Sequence, residues 1–190
     1  MYRPLLLISL LIAIASILVR WWFGMRFLQE QGTRSCRCDL EAWLPAAGDP
    51  AKERSETATA WDFGDQLRRK ALAQWSKDDP NSYRAREGSR RFGLAVPPLS
   101  LLVALFAMVV GKIPLVGAAA IFCVATAIAC ALGLMSLPAE LAAVSRHAAK
   151  TRKARCFPNR DDEDAVIECA LAHCWNRSLP PVLNWVEKRR

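Results

Sequence analysis

One stretch of the chain, residues 94–137, restricts the fold more than any other. It is almost uncharged, with Lys112 as its one formal charge, and the sequence Gly-Lys-Ile-Pro at residues 111–114 interrupts it. A run this long and apolar is too large for the core of a small soluble domain and is typical of membrane-spanning segments. We therefore predict two spanning helices, about Leu94–Val110 and Leu115–Leu137, that are joined by a tight turn.

A second apolar run, residues 5–19, lies near the N-terminus and is followed by the sequence Arg-Trp-Trp-Phe. The sequence Ala-Ile-Ala at residues 13–15 would suit cleavage of a signal peptide. The aromatic residues favour instead a retained helix that ends at the membrane interface. With them the helix has about 20 residues, which at about 1.5 Å each is long enough to span. We predict a first transmembrane helix over residues 1–23, and a cleaved signal peptide is the alternative.

The basic residues flank the apolar runs. The formal charge is +8, with fourteen Lys and Arg in residues 20–91 and ten after residue 137. Such clusters would suit nucleic acid, but beside apolar spans they indicate membrane topology and contact with anionic lipid, so no nucleic-acid partner is expected. We predict a multi-pass protein of the bacterial plasma membrane with its N-terminus outside and with residues 24–93 and 138–190 in the cytoplasm. The predicted membrane-interface residues are Trp21, Trp22, Arg90 and Arg91.

The polar segments carry weaker signals. Residues 30–57 are punctuated by Gly and Pro and are predicted to be an irregular loop. Residues 58–77 predict an amphipathic helix with Trp61, Leu67 and Trp75 near one face and Arg68 elsewhere. That apolar face would lie on the membrane surface or pack against the protein. The expected fold class is an all-α membrane protein with about three transmembrane helices and cytoplasmic amphipathic helices.

Prolines and acidic residues suggest where helices begin. Pro97 and Pro98 are predicted to lie in the first turn of the second span, and Pro138 to end the third span and open a new basic helix. Residues 161–164, Asp-Asp-Glu-Asp, suit the start of a last helix. That helix carries a stripe of apolar and histidine residues but is short for a span and holds charges, so we expect it to pack rather than cross the bilayer. The stripe is Val166, Cys169, Ala170 and His173.

The small residues and cysteines have mainly structural interpretations. Ala125, Ala129 and Gly133 recur every four residues and form a predicted helix-packing face. Cys123 and Cys130 within the third span are interpreted as packing residues. Seven cysteines without a regular framework predict reduced thiols on the cytosolic side. The pair Cys36-Arg37-Cys38 lacks a second pair at zinc-finger spacing and is a weak metal signal.

Glu140 and His147 follow the third span and are seven residues apart, which places them about 10 Å apart on one helix face. Spacing alone therefore assigns Glu140 to the helix start, where a carboxylate is favourable. The run Leu137-Pro138-Ala139-Glu140, after two apolar spans, resembles the membrane part of the YugP-like neutral zinc metallopeptidases. Their signature there reads Leu-Pro-Val-Glu-Phe-Asp-Ala-Ser-Arg-Arg-Ala, and the similarity covers roughly residues 84–186. It implies that Glu140 would be a third zinc ligand.

The sequence departs from that family at its catalytic motif. The family uses H-E-x-x-H on one helix for two zinc ligands and a general base, but here the only histidines are His147 and His173, and no H-E-x-x-H occurs. We therefore expect a non-catalytic, shortened relative that acts as a scaffold or a partner-binding subunit, in contact with lipid and with a protein partner or a second copy. The alternatives are a divergent zinc metallopeptidase that uses Glu140, His147 and His173 and a membrane-surface module that binds anionic lipid.

Overall fold

A computed structural model describes residues 2–39, 42–43 and 57–178, with side chains from residue 4 onward. In this part of the chain the fold is all-α apart from one short pair of strands, so the predicted fold class is confirmed. In chain order the elements are α1 Tyr2–Arg20, a π-helical turn Trp21–Met25, α2 Arg26–Gln31, β1 Ser35–Arg37, β2 Thr57–Thr59, α3 Ala60–Asp78, α4 Pro80–Val109, α5 Leu115–Ala154 and α6 Arg160–Ser178.

Three helical stretches are long and apolar enough to cross a membrane, as the sequence predicts. They are Pro4–Gln31, Pro80–Val109 and Leu115–Ala154. Large apolar side chains on these helices are exposed at the protein surface, Phe106 by 70 % and Met135 by 78 %. A soluble protein seldom exposes a continuous apolar surface of this kind, whereas a lipid-facing helix requires it. The predicted membrane character is therefore confirmed at this level. The short last helix α6 does not qualify as a span among the described helices.

The turn between α4 and α5 contains Gly111, in the Gly-Lys-Ile-Pro sequence at which the turn was predicted. Gly111 has a φ of +73°, a left-handed conformation that glycine adopts without steric cost. The Gly111 N–H donates to the Met108 carbonyl at 3.0 Å, and the Lys112 N–H donates to the Ala107 carbonyl at 2.9 Å. These bonds satisfy carbonyl groups that the end of α4 would otherwise leave without partners.

The three prolines do not mark helix boundaries, so the predictions made from them are wrong. Pro97 and Pro98 lie within α4, and Pro138 lies within α5. Helix α4 begins much earlier, where the Asp79 carboxylate accepts from the Ser82 N–H at 3.1 Å and proline occupies the first helical position. A helix in an apolar environment tolerates an internal proline because unwinding would expose further backbone groups that have no water to bond.

The chain divides into two compact units. The first, here called the apolar unit, comprises the described residues within 1–20, 85–136 and 177–190. The second, here called the polar unit, comprises the described residues within 21–84 and 137–176.

In the apolar unit, α1 packs beside α5. The side chains of Ser16 and Cys130 interact, and Leu5 lines the same apolar groove of about 390 Å³ as Ala120. Residue numbers rise together along both helices, so α1 and α5 run parallel. The predicted small-residue face is partly confirmed, because Ala129 is buried and a side chain on Gly133 would overlap the carbonyl oxygen of Ser178.

In the polar unit, α3 and α6 bury apolar faces. Thr59 caps α3 by accepting from the Asp62 N–H at 3.2 Å. The helix buries Phe63, Leu67 and Trp75, so the described structure shows its apolar face packed against the protein. The predicted stripe on α6 is also buried. The rings of Trp43, Phe63 and Phe157 contact one another in the unit's core, with centroids 5.2–5.6 Å apart. Strands β1 and β2 pair antiparallel, with Cys36 opposite Ala58.

One prediction falls partly outside the described residues. The irregular loop predicted at residues 30–57 includes residues 40–41 and 44–56, which lie outside the described part.

Candidate functional site

Glu140 forms a buried ion pair in the polar unit, and its partner is Arg68. The Arg68 Nη2 lies 2.6 Å from Glu140 Oε1, and Arg68 Nε donates to the same oxygen at 2.9 Å. The two side chains are only 4 % and 5 % exposed. Both hydrogen bonds are short and charge-assisted, so the carboxylate is held firmly by this cation.

The ion pair is buried because both helices turn an apolar face toward it. Arg68 lies between the buried residues Leu67 and Ala71 on α3. Glu140 is followed by the buried residues Ala143 and Val144 on α5. Removing two charges from water is costly, and the cost is offset only when the charges contact each other with good geometry. Glu140 lies well inside α5, so the prediction that it occupies a helix start is wrong.

The Cys174 thiol lies against this ion pair. It donates to the Ala170 carbonyl oxygen at 3.4 Å, is fully buried on α6, and lies close enough to Arg68 and Glu140 to interact with both. The pKa of the Cys174 thiol is raised to about 12, mainly by burial and also by the neighbouring Glu140 carboxylate, while Arg68 acts in the opposite direction. The thiol is therefore neutral at physiological pH and serves as a hydrogen-bonding group rather than as a nucleophile.

The two histidines lie in different surroundings. His173 is buried, with its Nε2 3.1 Å from the Trp61 carbonyl oxygen and its ring packed edge-on to the Trp61 ring at 4.6 Å. His147 lines a small cavity of about 80 Å³. The other residues of that cavity are Gln74, Trp75, Asp78, Ala143, Arg146 and Lys150.

These surroundings do not fit the zinc site that the family resemblance implies. Across residues 2–39, 42–43 and 57–178, no group of three or more His, Cys, Asp or Glu side chains could hold a metal ion. Glu140, His147 and His173 are therefore not brought together as a ligand set, and the same holds for Cys36 and Cys38. A zinc hydrolase needs three protein ligands and an open position. No step of any reaction can be derived through zinc here.

Six of the seven cysteines are buried thiols, and Cys123 is half-buried. None of the seven, all of which lie in described residues, forms a disulfide. Burial raises the pKa of Cys36 to about 11 and that of Cys169 to about 12. Burial also raises the pKa of Cys156, with smaller contributions from Glu163 and Asp39. Thiols of this kind are inert packing groups, not reactive sites.

The predicted membrane-interface residues are exposed. Trp21 and Trp22 are about half exposed, and the Arg26 guanidinium lies 5.0 Å from the Trp22 ring centroid in a cation–π contact. Arg90 and Arg91 have strongly exposed side chains that lie 3.8 Å and 3.5 Å from Glu87. Their exposure is compatible with contact with lipid headgroups.

Arg68 is the site residue that our sequence analysis missed, although a signal was present. The predicted amphipathic helix places Arg68 away from its apolar face. Its spacing of three or four residues from buried Gly64 and Ala71 places it on the apolar face instead. A basic residue on a buried face requires an acidic partner, and in the structure that partner is Glu140.

The fold and this site define an all-α protein with three helices able to cross a membrane and a buried Arg–Glu pair in its polar unit. Comparison of the chain with protein-family models, curated proteins and solved structures found no significant match.

Proposed function

We propose that the chain is an integral membrane protein that acts as a scaffold or partner-binding subunit and is a non-catalytic, shortened relative of membrane zinc metallopeptidases. The observation that supports this proposal is the Arg68–Glu140 ion pair. In the related enzymes the matching carboxylate would face a zinc ion. Here an arginine supplies the positive charge that the buried carboxylate requires.

The ion pair makes Glu140 a poor metal ligand. Releasing the carboxylate to a metal would leave Arg68 buried without its partner, and breaking a buried pair costs about 3–5 kcal/mol. The alternative of a divergent zinc metallopeptidase must overcome this cost and must also bring His147 and His173 to one ion. That alternative predicts stoichiometric zinc and peptidase activity, both of which can be measured directly.

We further propose a multi-pass arrangement in the bacterial plasma membrane, with the N-terminus outside and the polar segments in the cytoplasm. The parallel packing of α1 and α5 supports it, because a parallel pair begins on one side of the membrane. The N-terminus and the α4–α5 turn would then both be external. Reporter fusions test this directly. Periplasmic alkaline phosphatase should be active when inserted after Lys112 and inactive when inserted after Lys77.

A membrane-surface role is the second candidate. The exposed Trp22 with its stacked Arg26, and the exposed Arg90 and Arg91, would contact anionic headgroups. The burial of Trp75 limits this role, since the apolar face of α3 is not available to the bilayer. Arg90→Gln with Arg91→Gln should weaken the preference of the full-length protein for anionic lipid in nanodiscs, while Arg69→Gln should leave it unchanged.

Purification in mild detergent tests the main proposal. The tagged full-length protein should retain a stoichiometric protein partner or a second copy through size-exclusion chromatography. A zinc peptidase as the retained partner would support the scaffold role most strongly. A solitary monomer with peptidase activity of its own would contradict the proposal.

A further inference from the structure

A cavity of about 630 Å³ lies in the polar unit where α5 ends and α6 begins. Its described lining combines three arginines, two carboxylates and a rigid apolar edge. These residues are Arg152, Arg155, Phe157, Pro158, Arg160, Glu163 and Asp164. Neither Arg68 nor Glu140 lines this cavity.

The charges around the cavity are unevenly paired. Arg152 contacts both carboxylates, since it hydrogen-bonds to Asp164 and its Nε lies 3.9 Å from Glu163 Oε1. Arg155 and Arg160 are exposed and form no ion pair with any described residue. One arginine therefore engages the two carboxylates, and two guanidinium groups remain available to a ligand.

The backbone conformation of Arg155 is a second observation that favours a role for its side chain in the cavity. Arg155 has a φ of +52° and is the one non-glycine residue with positive φ in the described part of the chain. Its N–H donates to the Arg152 carbonyl at 3.2 Å as α5 ends. Glycine or asparagine normally occupies this position after a helix, because other side chains are strained there. A residue that fits the backbone poorly thus contributes a guanidinium group to the cavity.

We propose that this cavity binds a phosphate group. Guanidinium groups present planar pairs of donors that match phosphate oxygens, and arginine suits this role better than lysine does. Arg155 and Arg160 would hold the phosphate from two sides, and Pro158 keeps the segment between them stiff. The phosphate could belong to a lipid headgroup or be free in solution. Both sources share this chemistry, so the experiment must separate them.

The test uses the full-length protein in nanodiscs of neutral phosphatidylcholine. One arm titrates inorganic phosphate by calorimetry. The other adds short-chain phosphatidylglycerol and follows retention by native mass spectrometry. Arg155→Gly and Arg160→Gln remove the two available guanidinium groups, and Arg84→Gln removes an exposed arginine outside the cavity as a matched control. Arg155→Gly suits this purpose because glycine fits the backbone there, so loss of binding would not reflect unfolding.

Saturable binding of phosphate that weakens at least tenfold in both cavity variants, and is unchanged in Arg84→Gln, would establish the site with free phosphate as ligand. The same pattern seen only with phosphatidylglycerol would establish it with lipid as the source. The proposal is overturned if neither ligand binds saturably, or if Arg155→Gly and Arg160→Gln bind as well as the control.

Discussion

Arg68 on α3 and Glu140 on α5, 72 residues apart in sequence, form an ion pair that is almost completely shielded from solvent. The buried Cys174 thiol of α6 lies against both side chains. Three helices of the polar unit therefore meet at one charged contact. The family resemblance would assign the Glu140 carboxylate to zinc. Here the same carboxylate is part of a stabilising ion pair, which supports the proposed lack of catalysis.

Removing Arg68 should destabilise the protein strongly. Arg68→Met leaves Glu140 buried without a counter-charge, and we expect a loss of about 3–5 kcal/mol in the free energy of unfolding. Arg69→Met is the matched control, since the neighbouring Arg69 side chain is 68 % exposed, and we expect a change of less than about 1 kcal/mol. Thermal unfolding in detergent, followed by tryptophan fluorescence, measures both.

The double variant Arg68→Met with Glu140→Leu separates charge from packing. Removal of both charges should restore much of the lost stability, because no uncompensated charge remains in the core. A double variant as unstable as the sum of the two single variants would show that the ion pair itself is not the cause.

Gly64 allows α3 and α6 to approach closely, so Gly64→Ala should destabilise the polar unit. A Cβ at this position would lie 2.8 Å from Cys169 Cβ and 2.9 Å from the Ala170 nitrogen. We expect a loss of about 1–3 kcal/mol. Gly88→Ala is the control, since a Cβ there meets nothing within 4 Å, and it should stabilise by about 0.5–1 kcal/mol. Equal effects of the two substitutions on the melting temperature would refute the close packing.

The buried thiols predict a loss of stability at alkaline pH. The pKa values of Cys36 and Cys169 are raised from 9.0 to about 11 and about 12. Below pH 9 both states keep their protons, and above it the unfolded chain loses them first. The free energy of unfolding should therefore fall as pH rises from about 9 to about 12. Melting curves of wild type and Cys169→Ala across this range test it, because the variant should show a shallower decline. If the melting temperatures of wild type and Cys169→Ala fell equally steeply with pH, the raised pKa of Cys169 would be contradicted.

Arg155→Gly should raise stability. The left-handed backbone at this position costs a non-glycine residue about 1 kcal/mol, and glycine removes that cost. We expect the melting temperature of Arg155→Gly to rise. Arg152→Gly is the comparison and should lower it, because that substitution places glycine inside a helix and breaks an ion pair. A decrease in Arg155→Gly would show that the Arg155 side chain contributes more to folding than its backbone strain costs.

Long-range periodic signals predicted the fold better than local proline signals did. The apolar stretch of residues 94–137 predicted two helices, and the spacing of Phe63, Leu67 and Trp75 is typical of the amphipathic helix that the structure contains. The prediction from Pro97 failed because a rule from water-exposed helices was applied to an apolar segment. There, backbone groups have no alternative partner and the helix continues through the proline.

The candidate site was less predictable because it depends on contacts between distant parts of the chain. The sequence singles out Glu140, but its partner could be found only by assigning Arg68 to the buried face of α3. The surroundings of His147 and His173 depend on packing between helices that no local pattern specifies. The spacing of a carboxylate and an imidazole on one helix therefore gave no reliable guide to their partners.

The zinc content of the purified full-length protein tests the central claim most directly. Wild type and Glu140→Ala would be purified without added metal, dialysed against buffered zinc and measured by inductively coupled plasma mass spectrometry, with a peptidase assay in parallel. Since Arg68 occupies the Glu140 carboxylate, we predict far less than one zinc per chain in both and no peptidase activity. One zinc per chain in wild type, lost in Glu140→Ala together with peptidase activity, would contradict it.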